Sequence, residues 1–137
     1  MHIIQFRAKA INRDKGEHRT EYKNGDWVKG LLTKNYRTEF PSLPAEMSNG
    51  LASGIEVDYR TIGQCISTRD KCGNYIFEGD IVKYEGELYK VFYDDYSSRF
   101  LADSGEAWLD YFNDCVIVGN VYDNPELLEV INNGNQD

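Results

Sequence analysis

A chain of 137 residues is long enough for one ordinary domain, or two intimate halves, with a hydrophobic core that needs neither disulfides nor structural metal. The net charge of −8 is unevenly divided: residues 1–68 carry ten Lys/Arg against eight Asp/Glu, and residues 69–137 carry five against fifteen, a balance of +2 against −10. The acidic half would repel a phosphate backbone, which argues against broad non-specific nucleic-acid binding.

Arg7 and Lys9 interrupt the place where a signal peptide would need its apolar stretch, and nowhere do about 18 apolar residues run together. A cytoplasmic chain that does not engage membranes is expected. Cys65, Cys72 and Cys115 are an odd set, which fits reduced thiols in that compartment. Ten Tyr, six Phe and two Trp favour pleated surfaces, so strands lead the reading.

The opening alternates Ile4, Phe6, Ala8 and Ala10 against Gln5, Arg7 and Lys9, the period of a strand with one buried face. Asn24-Gly25, between Glu21-Tyr22 and Trp27-Val28, signals a hairpin whose second arm continues to Leu31 and Leu32. Two prolines, two glycines and small polar residues then mark a long loop over 35–54, with room for a single helical turn around Ala45 to Met47.

From Ile55 to Ser67 the chain is again β-branched and alternating, and Asp70-Lys71-Cys72-Gly73 has the chemistry of a type I turn with Gly73 at positive φ. Two strands pivot on Glu85-Gly86, with Ile81, Val82, Leu88, Val91 and Phe92 as expected core. Short strands at Arg99–Ala102 and Cys115–Val118 follow. Asn124 can cap a final helix that starts at Pro125, favours Glu126 in its first turn, and carries a stripe of Leu127, Leu128, Val130 and Ile131.

The expected architecture is mainly β: an N-terminal strand and hairpin region over 1–60 with its loop at 35–54, an SH3-like partly open barrel over 61–123, and a short C-terminal helix and tail over 124–137. The run GDIVKYEGELYKVFYDD resembles the opening of small SH3-like barrels, which bind peptides or nucleic acid through one aromatic face. Tyr84, Tyr89, Tyr93, Tyr96, Phe100 and Trp108 are the candidates for that face; the competing reading divides them between core and ordinary surface.

Two longer segments, IGQCISTRDKCGNYIFEGDIVKY (62–84) and VIVGNVYDNPELLE (116–129), resemble the hallmark segments of the YopX family of phage and prophage proteins. FRAK (6–9) and NGDWVKGLLT (24–33) resemble that family's opening segments, so the resemblance spans nearly the whole chain. Cys65 stands where Tyr is common, Ser67 where Gly is common, and Cys72 where the turn usually has Asn. The resemblance implies a phage or prophage accessory protein and brings no settled activity with it.

Function therefore has to come from chemistry. The thiols lack C-x-x-C spacing and the only histidines are His2 and His18, so no metal set and no cofactor is expected. No G-x-S-x-G elbow or Walker loop occurs. Glu78 with Asp80, Asp94 with Asp95, and Asp110 with Asp114 could serve acid–base or Mg²⁺ chemistry, but acids at strand ends are more often solvated. The leading expectation is a non-enzymatic protein acting by protein–protein contact with a host or phage protein, or as a homo-oligomer. Unprotected sheet edges motivate the homo-oligomer, since the prolines cluster in one loop and one helix start. The alternative is a nucleic-acid-binding module using Arg7, Lys9, Arg13, Lys15, Arg19, Lys23 and Lys29.

Overall fold

The alternation that opens the chain produces a strand with two chemically different faces. The computed structural model describes residues 5–11, 23–32, 45–46 and 57–134. In it, β1 (Phe6–Lys9) pairs antiparallel with β2 (Trp27–Leu32), with Phe6 opposite Gly30 and Lys9 opposite Trp27. Phe6, Ala8 and Ala10 pack with Val28, Val57 and Ile62 into a small core. Arg7 and Lys9, one residue out of phase, share the opposite face with Trp27 and Lys29.

The turn into β2 spans Lys23–Asp26, with the Asp26 N–H donating to the Lys23 carbonyl at 3.1 Å. Gly25 takes φ +90° and Asn24 does not take positive φ, which is the third-position glycine of a type II turn rather than a paired left-handed hairpin turn. Glu21-Tyr22, the expected first arm, lies outside the described residues, and β2 finds its partners in β1 and β3 (Ala45–Glu46). The helical turn expected around Ala45 to Met47 is corrected there: Ala45 and Glu46 are extended and pair with Leu32 and Leu31, an offer of ladder bonds from β2 that local sequence does not reveal.

The chain forms two compact units, and their boundary falls inside β4 (Gly63–Arg69), between Gln64 and Cys65. In the first unit, Gly63 and Gln64 pair with Arg7 and Phe6. In the second, Cys65 and Arg69 pair with Phe77 and Tyr75 of β5 (Tyr75–Phe77), and the irregularity between them puts Ser67 at φ +65°. The turn joining β4 to β5 is the one expected: the Gly73 N–H donates to the Asp70 carbonyl at 3.0 Å and Gly73 has φ +89°.

The second unit continues as a meander of β6 (Asp80–Tyr84), β7 (Glu87–Asp94), β8 (Arg99–Asp103) and the two-residue β9 (Trp108–Leu109), with β10 (Val116–Asn120) antiparallel to β6 on the other side. Glu85 and Gly86, both at positive φ, make the tight β6–β7 hairpin. One sheet face carries Val82, Tyr89, Val91 and Ala102, which join Ile66, Ile76, Phe112 and Cys115 in the main core. The helix α1 (Pro125–Asn132) packs on β7 and β10, with Ile131 buried. Of the expected core residues, Ile81, Val82 and Val91 are buried and Leu88 and Phe92 half-buried. Among the described residues the protein is thus mainly β, with two antiparallel sheets and one short α-helix, and no sheet closes into a barrel.

Candidate functional site

The two hallmark segments meet through backbone hydrogen bonds and close packing. The Gly79 N–H donates to the Val91 carbonyl at 2.9 Å, the Gly79 carbonyl accepts from the Val121 N–H at 2.9 Å, and Cε2 of the Tyr122 ring lies 3.0 Å from where a Cβ on residue 79 would stand. A Cβ on Gly119 would stand 2.5 Å from Asn124 Oδ1 and 3.0 Å from Leu127 Cδ1. Asn124 precedes the helix as expected, but its side chain makes no cap bond; Oδ1 instead accepts the Asn120 N–H at 3.1 Å. Asn120 Oδ1 holds the N–H groups of Tyr122 and Asp123.

Carboxylates at turns are occupied in the same way. Asp70, buried, accepts from the N–H groups of Cys72 and Asn74 through Oδ1, at 3.0 and 2.9 Å, and from that of Ile117 through Oδ2, at 3.0 Å. With the Lys71 N–H donating to the Cys115 carbonyl, the 70–74 turn covers the outer edge of β10. The irregular pairing at Val118 and the Asn124 side chain continue that protection. The premise of an unprotected edge therefore does not hold for β10.

Asp80 accepts the Phe77 N–H at 2.8 Å, and Asp110 pairs with Arg99 at 3.0 Å. Asp94 accepts from the Ser97 hydroxyl and N–H, and the hydroxyl bond above all holds its carboxyl below the usual range. Asp80, Asp94 and Asp110, one from each foreseen pair, are thus each engaged by a donor from elsewhere in the chain.

The thiols sit apart by environment. Cys65 and Cys115 are buried and Cys72 is exposed. Burial first, then the negative charges of Asp114 and Asp70, push the Cys115 thiol up to about 11. Among the described residues no three His, Cys, Asp or Glu side chains gather as a metal ion would require, and His2 and His18 lie outside them.

Of the basic residues, Arg13, Lys15 and Arg19 also lie outside the described residues. Arg7 is buried with its guanidinium 4.7 Å from the Trp27 ring centre, and the Lys9 ammonium is 5.5 Å from the same ring. Lys23 and Lys29 are exposed. Beside this face Asp58 binds Arg60 through two bonds of 3.0 Å, which hold its carboxyl below the usual range.

The foreseen aromatic face divides. Tyr89 is core; Tyr84 and Phe100 pack against it. Tyr93 stands edge-on to Phe100, ring centres 5.1 Å apart, and is half-exposed. Tyr96, at 99% exposure, tips the β7–β8 turn, and Trp108, at 65%, stands on the edge strand β9. Tyr111, which the sequence reading missed, is also exposed. Its signal was its place just beyond a strand too short for periodicity to find. Because Ser104 donates its N–H to Ala107, the next pair outward along the ladder, Asp103 with Trp108, is a non-hydrogen-bonded one, and the Trp108 backbone groups point away from the sheet. Trp108 and Tyr111 thus lie on and just beyond an outward-facing edge strand of the second unit, which the Arg99–Asp110 ion pair ties to β8, while Tyr96 stands at the far end of β8.

No curated protein matches the sequence. Among solved structures, that of protein EF1440 from Enterococcus faecalis resembles the chain with a TM-score of 0.51 and 22% identity, covering 92% of this chain and 98% of that one, a likeness of fold. The family model described as YopX protein matches residues 5–129, from the start of β1 into α1 and through both hallmark segments. The chain belongs to the YopX family.

Proposed function

We propose that this protein is a non-enzymatic binding protein that works by protein–protein contact through the β9 edge of its second unit. The observation that carries the reading is the exposure of Trp108 on β9 and of Tyr111 just beyond it. Tyr and Trp offer large apolar bodies with polar tips at low entropic cost, which is why they anchor interfaces. The engagement of Asp70, Asp80, Asp94 and Asp110 in turns and ion pairing supports a scaffold role for the carboxylates rather than acid–base work. The nucleic-acid reading is weakened because Arg7 is buried over Trp27 instead of reaching for phosphate. In the phage or prophage setting that the family resemblance implies, the partner is a host or phage protein.

A photo-crosslinking phenylalanine analogue placed at Trp108 or Tyr111, in cells that naturally carry the protein, tests the reading. Discrete adducts are expected from these two positions and none from the same analogue at Lys29. Adducts from position 29 with a silent β9 edge would overturn it.

A further inference from the structure

We infer that the occupant of the β9 edge is an Arg- or Lys-rich segment of another protein rather than a second copy of the same edge; this rests on reading that edge as a contact surface. From Asp94 to Asp114 the chain carries six acids, Asp94, Asp95, Asp103, Glu106, Asp110 and Asp114, and one base, Arg99, already paired with Asp110. Two such edges brought face to face would set like charge against like at close range, which suppresses that pairing. A basic segment instead neutralises the acids and finds aromatic faces for its cations.

The chain uses this chemistry internally. The Arg69 guanidinium lies 4.6 Å from the centre of the Tyr75 ring while donating to its hydroxyl at 3.0 Å. At the edge, Asp103 is directly opposite exposed Trp108, so carboxylate and indole stand on the same sheet face. Oδ1 of Asp103 accepts the Gly105 N–H at 2.8 Å, which holds the carboxylate at the turn leading into β9. A guanidinium laid on the indole reaches the acid at once, the pairing of stacking and charge that Arg serves better than Lys.

The probe is a capped, fluorescent octa-arginine peptide, followed by anisotropy at 0.15 M salt against the full chain. Saturable binding is expected. Trp108→Ala with Tyr111→Ala should weaken it about fivefold. Asp103→Asn with Glu106→Gln should weaken it by about fivefold to tenfold. Glu126→Gln with Glu129→Gln removes the same charge from α1 and should change it less than twofold. Circular dichroism confirms that each variant is folded.

Equal losses from the edge and helix charge pairs would mean diffuse attraction and overturn the inference, as would no saturable binding. Crosslinks from position 108 without octa-arginine binding would leave the contact surface standing and sink its basic occupant. Crosslinks between two copies would do the same.

Discussion

Asp70→Ala is the most informative single change, because one buried carboxylate joins a local turn to a strand 47 residues away. Three N–H donors lose their acceptor. Those of Cys72 and Asn74 belong to exposed residues and can turn to water, at a cost of about 0.5 kcal/mol each. The Ile117 N–H is half-buried on the outer edge of β10, where an unmet donor costs about 1–3 kcal/mol. Together the second unit should lose about 3 kcal/mol, which for a unit of this size lowers its melting temperature by roughly 15 °C. Asp70→Asn keeps an oxygen for the two turn amides but sets an NH₂ donor against the Ile117 N–H, so about 2 kcal/mol should remain lost. Urea unfolding read by Trp108 fluorescence in a Trp27→Phe background isolates the second unit, since each unit holds one Trp. A Asp70→Ala variant within about 0.5 kcal/mol of the parent would refute the assignment. An unaffected Asp70→Asn beside a damaged Asp70→Ala would place the stability in the turn and none in the strand tie.

A disulfide-exchange reagent at neutral pH should titrate one thiol, Cys72, in the native chain and three in denaturant; two rapid native thiols would contradict the burial of Cys65 and Cys115. Because the Cys115 thiol is raised from 9.0 to about 11 on folding, its contribution is fully present below pH 9 and is lost as the pH rises toward 11. The loss is about 2 kcal/mol, and stability that stays flat over that range would count against it. Burial also raises Tyr89, which acts in the same direction. Ser67→Gly should stabilise by up to about 1 kcal/mol by relieving a left-handed serine at the β4 irregularity, and a fall in urea midpoint would show that the Ser67 side chain outweighs the backbone cost.

What could be foreseen was local. Asp70 and Gly73 carry turn chemistry within four residues, Glu85-Gly86 sits between two alternating runs, and Pro125 fixes a helix start, so each was legible. Interactions set by distant partners were not. The extended form of Ala45–Glu46 depends on β2, and Asn124 resembles a helix cap until its neighbour Asn120 takes the oxygen. The aromatics show the limit most plainly, since Tyr89 and Tyr96 are the same residue type in one strand–turn unit and end at 6% and 99% exposure. Which tyrosine reaches water depends on the sheet face, and the period-2 pattern loses its hold at the turn.

The close approach of Gly119 to Asn124 and of Gly79 to Tyr122 has an evolutionary corollary. Residues spent on joining strand to helix leave recognition to be written elsewhere, so two relatives could share every hallmark and answer to different partners. The stretch from Tyr93 to Tyr111 should then behave as an exchangeable cassette: grafted between relatives, it would carry partner choice with it while the weld beneath stays native.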